Sequence, residues 1–391
     1  MQPAARMSNL PPYPFARLGK RISELKKTGM DIIRLDIGSP DLSPTPEIIR
    51  ALENSVEKAE THGYPGFTGT PEFRQAVATY YERRFGVRLD PGREVLSLIG
   101  SKEGIVNMAM AFVDPGDLVL VPNPGYPANA MGTCMVCGEV YELPLLPERG
   151  FLPDLAGIPD SVAERAKLLW LNYPNNPTTA TAPMSVLREA VEFAQRHNIL
   201  LCYDNPYHEL VYNGHQEHSI LEVSGAMDVA VEFNSLSKTY NMAGWRIGMA
   251  VGRGAAIAAL AQVKSNIDSG VFQPIQDAAI AALTGDQEWL KERNAIYQKR
   301  RDLLLETLPR FGMEGYRSSA SLYVWAKIPP DEPSAEEFAS RLLEQAGVSI
   351  APGSFFGSQG EGYVRISLGT PTDRLAEALE RMEKAVLLKQ R

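Results

Sequence analysis

Cysteine, histidine, long apolar runs and excess positive charge are all scarce in this chain, and each scarcity removes a class of protein. Three cysteines, Cys134, Cys137 and Cys202, in 391 residues cannot build a disulfide framework. Cys134 and Cys137 have the spacing of a redox or zinc pair, but no second Cys or His pair follows at finger distance, so they read as core residues. His215 and His218 lie in a polar loop with Asn213 and Gly214, where solvated side chains rather than metal ligands are expected. No apolar run approaches the roughly 20 residues that span a bilayer. The first residues, with Pro11, Pro12 and Pro14, also lack an apolar core of signal-peptide length, so the chain is expected to be cytoplasmic and to meet no membrane. A net charge of -8 and no basic stretch exclude a general nucleic-acid surface and leave room only for a local basic pocket.

What is present is an ordinary apolar fraction, 44%, on a chain longer than the roughly 250–300 residues that one core serves, so two domains are expected. Short apolar runs at 95–99, 118–121, 167–171, 199–203, 229–233 and 247–251 alternate with helical patterns. That alternation predicts an α/β fold, a large domain with a mainly parallel seven-stranded-type sheet flanked by helices. A long helix at 287–307, apolar at Leu290, Ile296, Leu303 and Leu304, leads to strands at 322–326 and 364–367 and helices at 335–345 and 372–388, a smaller C-terminal α/β domain. The expected division is an N-terminal segment, 1–45, packing on the small domain, then a large domain, 46–285, a linking helix, 286–309, and the small domain, 310–391.

The chemistry collects just beyond the strand ends, where open α/β sheets gather ligands. Ser235-Leu236-Ser237-Lys238, with Arg246 eight residues after the lysine, follows the alternating run Asp228-Val229-Ala230-Val231-Glu232-Phe233. An amine flanked by hydroxyls and an arginine suits a phosphorylated carbonyl compound and points to pyridoxal phosphate. Partial burial beside a cation lowers a lysine pKa enough to make it nucleophilic, and Arg246 supplies the cation. Gly100-Ser101-Lys102-Glu103-Gly104 follows the first strand and precedes Ile105, Met108 and Phe112, spaced as one helix face. Free N–H groups at that helix start, with the Ser101 hydroxyl, form an anion cradle; the simpler alternative is an N-cap made by Ser101. Asn172-Tyr173-Pro174-Asn175-Asn176-Pro177-Thr178 is a rigid loop able to present an amide. Asp204-Asn205-Pro206-Tyr207 offers a carboxylate for a protonated pyridine nitrogen and a hydroxyl for a ring oxygen, or else a plain turn.

In chain order these motifs resemble the fold-type I pyridoxal-phosphate aminotransferases of class I/II, the aspartate aminotransferase superfamily, over nearly the whole chain. The resemblance implies pyridoxal 5'-phosphate as cofactor, bound by the large domain, with Lys238, Asp204 and Tyr207 as the catalytic residues. Lys238 matches the Schiff-base lysine, Asp204 the partner of the pyridine nitrogen, and Asn176 and Tyr207 the contacts of the ring oxygen. Ser101, Lys102, Ser235 and Arg246 match the phosphate cup, and Tyr126 the aromatic that stacks on the ring. Tyr64, in a pattern completed by Gly69, Phe73 and Arg74, matches a phosphate contact donated by a second subunit, so a homodimer with a shared active site is expected. For substrate, Arg365 matches the fork on the α-carboxylate, Gly38 the backbone beside it, and Asn176 a further contact.

The resemblance implies transamination between an amino acid and a 2-oxo acid, with glutamate and 2-oxoglutarate as one couple. The stretches around Ser101, Lys238 and Asn266-Ile267-Asp268-Ser269-Gly270 look like the branch holding LL-diaminopimelate and alanine (glutamate-pyruvate) aminotransferases. LL-diaminopimelate is kept narrowly first, with alanine or a broad range of donors next. Phe67 stands where plant-type diaminopimelate enzymes carry a glutamate that reads the distal ammonium, and Asp268 and Glu103 are the candidates to compensate. Remoter alternatives on the same fold are a carbon–sulfur lyase and the non-catalytic effector domain of a transcription regulator.

Overall fold

The computed structural model describes residues 1–10 and 12–389; Pro11 and the last two residues of the expected C-terminal domain lie outside the described residues. The strands are β1 (Ile33–Arg34), β2 (Val95–Leu98), β3 (Leu118–Asn123), β4 (Glu139–Pro144), β5 (Ala166–Asn172), β6 (Leu200–Asp204), β7 (Ala230–Ser235), β8 (Gly248–Gly252), β9 (Glu314–Gly315), β10 (Tyr323–Lys327), β11 (Val348–Ser349), β12 (Ala351–Pro352) and β13 (Tyr363–Ser367). Seven of them form one sheet in the order β2-β8-β7-β6-β5-β3-β4. Its inner strands are buried along their length because helices cover both faces, which is why they appear in the sequence as unbroken apolar runs.

The sheet is parallel except at β8, which runs antiparallel to both β7 and β2. The connection from β7 to β8 holds only the short helix Leu236–Thr239 and the turn Ala243–Trp245, without the crossover helix that parallel pairing needs. The reversal puts the start of β8 opposite the ends of β7 and β2, since Gly248 pairs with Ser235 and with Leu98. Arg246 therefore arrives at the same sheet edge as the motifs that follow β2, β5, β6 and β7. β4 is a strand that the apolar pattern does not announce, because Glu139, Tyr141 and Glu142 break the run at an exposed edge.

Beyond the helix Trp289–Thr307, β12, β13, β10 and β9 make a four-stranded sheet covered by helices Ala335–Ala346 and Thr372–Lys389. β1 pairs in parallel with β11, and Ile22 of the helix Pro14–Lys27 clusters with Ile32 and Leu343, so the N-terminal segment is stitched to these C-terminal elements. No described helix is long and apolar enough to cross a membrane. The expectation that the Cys134–Cys137 pair packs in the core is corrected. Cys134 is half-buried and Cys137 is exposed at a left-handed position, φ 62, just past the helix Pro127–Met135; among the cysteines only Cys202 is buried.

One ion pair, buried on its arginine side, ties three segments together. Arg300 grips both carboxylate oxygens of Asp41 at 2.7 and 2.9 Å and also donates to the Leu368 carbonyl at 2.9 Å and the Thr372 hydroxyl at 3.2 Å. Asp41→Asn leaves that guanidinium buried without its counter-charge, and about 3 kcal/mol of stability is expected to be lost. Urea unfolding followed by circular dichroism checks this; an unchanged midpoint would show that the pair contributes nothing net.

Candidate active site

The carboxyl edge of the large sheet faces β10 and β13 across a cleft of about 350 Å³. Every residue expected from the sequence to hold the cofactor or the α-carboxylate lines it except Tyr64. Lys238 enters from the short helix Leu236–Thr239, which Ser235 caps by accepting from the Ser237 N–H at 3.2 Å. Arg293 braces the same turn from below by donating to the Lys238 carbonyl at 3.1 Å and to the Thr239 carbonyl. The Lys238 amine donates to the Gly38 carbonyl. Burial first, then the Arg365 and Arg246 guanidiniums, lower its pKa to about 8.

Asp204 closes β6 and is 3% exposed. One of its carboxylate oxygens, Oδ1, is buried without a hydrogen-bond partner, and burial followed by the charge of Glu232 raises its pKa to about 7. Such an oxygen is costly unless something donates to it. Asn172 fixes the neighbouring loop by donating to the Asp204 carbonyl at 2.7 Å while accepting from the Asn176 N–H at 2.8 Å. Tyr207 shares a hydrogen bond of 3.0 Å with Tyr323.

Opposite them lies a set of groups suited to an anion. Ser101 is the first residue of the helix Ser101–Phe112, and no side chain caps that helix. The simpler N-cap alternative therefore fails, since the residue at the cap is Gly100 and the Glu103 carboxylate instead accepts from the Ile99 N–H at 3.0 Å. Gly100 has φ +75, and a Cβ there would fall 2.3 Å from Arg246 Nη2, so only glycine lets the guanidinium approach the helix start. Arg246 is itself left-handed, φ 60, and held by the Ala243 carbonyl at 2.9 Å. Lys102 sits at the mouth with its ammonium 4.4 Å from the centre of the Tyr13 ring, its pKa lowered by burial and by Arg246. Tyr126 lines the cleft just before the helix Pro127–Met135.

Arg365, on β13, donates to Asn176 Oδ1 at 2.7 Å and to the Asp36 carbonyl at 2.8 Å. Three rings surround its guanidinium, Tyr323 at 4.1 Å, Phe356 at 4.7 Å and Phe15 at 5.5 Å. These rings, with Tyr13 and Arg34, are cleft residues that sequence reasoning passed over. Aromatics in strands and helices look like core, and only their convergence on one arginine marks them. Gly38 earns its place by space, because a Cβ there would lie 1.9 Å from the Tyr323 hydroxyl.

Tyr64 stands apart, 90% exposed on this chain. The expectation that Asp268 or Glu103 reads a distal ammonium is corrected as well. Both acids turn toward the fully buried Lys264 amine, at 2.7 and 3.7 Å, and neither lines the cleft.

Among the described residues, the charged groups lining the cleft are Arg34, Lys102, Lys238, Arg246 and Arg365 against Asp36 and Asp204. That imbalance, at the carboxyl edge of an α/β sheet, suits small anionic ligands. A family model described as aminotransferase class I and II matches residues 30–382. LL-diaminopimelate aminotransferase of Moorella thermoacetica is 50% identical over 386 residues, 99% of each chain, and that of Desulforudis audaxviator is 51% identical over 380 residues, 97% of this chain and 96% of the other. The substrate-bound structure of BacF from Bacillus subtilis superposes with a TM-score of 0.93 at 38% identity, covering 98% of this chain and 97% of that one. The chain belongs to the class I and II aminotransferases. It is a transaminase, moving an amino group between an amino acid and a 2-oxo acid.

An amine with a pKa near 8 is neutral above that pH, so Lys238 in the cofactor-free protein is expected to react with an acylating reagent at a rate that climbs through about pH 8 and then levels. Peptide mapping of the modified protein measures it; a rate still climbing toward pH 10.5, the ordinary lysine value, would contradict the lowered pKa.

Proposed function

We propose that the chain is a pyridoxal 5'-phosphate-dependent aminotransferase of the glutamate/2-oxoglutarate couple, with LL-diaminopimelate as its amino donor. The observation that carries the cofactor is the pairing of two unmet needs in one cleft. Asp204 Oδ1 is buried without a donor, which suits a protonated ring nitrogen, and the uncapped helix start beside Arg246 suits a phosphate dianion. Ser101, Lys102, Ser235 and Arg246 would hold the phosphate, Tyr126 the ring face, Asn176 and Tyr207 the ring oxygen, and Lys238 the carbonyl carbon. Tyr64, too exposed to serve its own cleft, would complete the phosphate site of a second copy in a homodimer.

When bound, the cofactor supplies a carbonyl carbon for the amino nitrogen and a ring that accepts the electron pair left at Cα. The protein does the rest. Arg365 binds the α-carboxylate through the two edges left by Asn176 and Asp36, and so leaves the Cα–H bond, rather than the bond to the carboxylate, free to break. Lys238, whose lowered pKa of about 8 gives it a neutral fraction at neutral pH that an ordinary lysine lacks, would take the Cα proton, a role worth about 10²–10⁴-fold. Asp204 makes the protonated ring favourable by placing a carboxylate against it. Tyr207 and Asn176 would hold the ring oxygen.

The excess of cations over acids supports a dicarboxylate couple, because phosphate and two carboxylates must be balanced together. The diaminopimelate donor rests on the names of relatives about half identical over nearly their whole length. Alanine or a broader donor range is the second reading, favoured by Phe67 in place of an acid.

A panel of LL-diaminopimelate, alanine, aspartate and aromatic donors against 2-oxoglutarate, read as glutamate formed, is expected to rank diaminopimelate first. A higher kcat/KM for alanine would replace the substrate without touching the reaction. Arg365→Lys replaces the planar fork by a point charge, and kcat/KM is expected to fall about a hundredfold, mostly through KM. An unchanged KM would remove Arg365 from the carboxylate.

A further inference from the structure

Lys264 is fully buried on the helix Gly254–Ser265, and none of the chemistry described so far uses it. A buried ammonium is costly unless it is paired, and this one lies between two carboxylates from different parts of the chain. Asp268 Oδ2 is 2.7 Å away and Glu103 Oε2 is 3.7 Å away. Asp268 is itself fixed, because its other oxygen accepts from the Gly270 N–H at 2.8 Å. The lysine is thus anchored on one side and meets Glu103 on the other.

Glu103 carries that anchorage to the wall of the cleft. It is the third residue of the helix Ser101–Phe112, whose uncapped start is the anion-binding end. Its Oε2 accepts from the Ile99 N–H at 3.0 Å, and its Oε1 accepts from Asn107 Nδ2. Ile99 in turn gives its carbonyl to Arg246 Nη2 at 3.4 Å. An unbroken line of contacts therefore runs from Lys264 through Glu103 and Ile99 to Arg246, the guanidinium beside the helix start. The residue between Ile99 and Ser101 is Gly100, left-handed and without a side chain to stiffen the turn, so the bond from Glu103 pins the entry to it. Burial raises the Glu103 carboxyl and the Lys264 charge opposes that rise. The Glu103 side chain is 18% exposed, so without the lysine a path to solvent lies open to it.

We propose that Lys264 is a positioning residue for the cofactor phosphate: by holding Glu103 on the Ile99 N–H, it sets the turn that offers the helix start and Arg246 to the anion. The inference rests on the reading that pyridoxal phosphate occupies the cleft. Its consequence is confined to the phosphate end of the cofactor. Lys238 leaves a different strand and is braced there by Arg293, so an aldehyde without a phosphate is expected to find it undisturbed.

The test titrates the full-length protein, freed of cofactor, with pyridoxal 5'-phosphate and with pyridoxal, which lacks the phosphate, and follows both by absorbance. Lys264→Met keeps an apolar stem of similar length but loses the charge. It is expected to weaken pyridoxal phosphate about tenfold and to leave pyridoxal unchanged, so that the preference for the phosphorylated form shrinks by the same factor. Adding Glu103→Gln, whose amide oxygen still accepts from the Ile99 N–H and needs no counter-charge, is expected to recover most of that loss. Equal weakening of both ligands overturns the proposal, because it marks a lysine that serves the fold alone. An unchanged preference, or no recovery in the double variant, overturns it as well. If Lys264→Met does not fold, Glu103→Ala is compared with Glu103→Gln; both lose the charge and only the alanine abandons Ile99, so the alanine variant is expected to show the smaller preference, and equal preferences overturn the proposal. A wild-type protein that binds pyridoxal phosphate no more tightly than pyridoxal defeats the cofactor reading instead, so the two failures are told apart.

Discussion

Burial of one amine beside two guanidiniums is the constraint from which the site's chemistry follows. Lys238, Arg246 and Arg365 cannot all stay charged at low cost within reach of one another. A guanidinium has no accessible neutral form near neutrality, whereas an ammonium can shed its proton. The lysine is therefore the group that yields, and yielding makes it a nucleophile and a base. The arginines keep their charge and remain available for anions. One electrostatic conflict thus assigns two different jobs to residues of the same sign.

The backbone enforces that conflict. The reversal at β8 brings Arg246 to the edge where Lys238 leaves β7, and the four-stranded sheet delivers Arg365 from the opposite wall. The segment from Arg34 to Gly38 then touches both, giving the Asp36 carbonyl to Arg365 and the Gly38 carbonyl to Lys238. That segment is itself held by β1 pairing with β11 and by the two-pronged Arg34–Asp36 ion pair at 2.6 Å. Two walls of the cleft are therefore registered by one short segment, in which Gly38 leaves room for the Tyr323 hydroxyl. On the acidic side, Asn172 fixes the backbone of Asp204 by donating to its carbonyl.

Much of this was legible in the sequence because the inner strands are covered on both faces and so appear as apolar runs, with motifs falling at their ends. Ser101, Asn176, Asp204, Tyr207 and Lys238 were found that way, since position after a strand is a one-dimensional property. Features set by three-dimensional convergence were not. The rings of Tyr323, Phe356 and Phe15 around Arg365 look like ordinary core aromatics until the sheets are assembled. β4 escaped notice because an edge strand can afford its glutamates, and Cys137 was taken for core although the chain needs an exposed left-handed residue there to leave its helix.

The central claim is that the amine of Lys238, and no other, joins this enzyme to pyridoxal phosphate. Reducing the holoenzyme with borohydride makes that link permanent, and mass spectrometry of the digested protein then locates it. The account predicts a single cofactor-bearing peptide containing Lys238. A tag on Lys102 or any other lysine, or an enzyme fully active without any tag after loading, would contradict it.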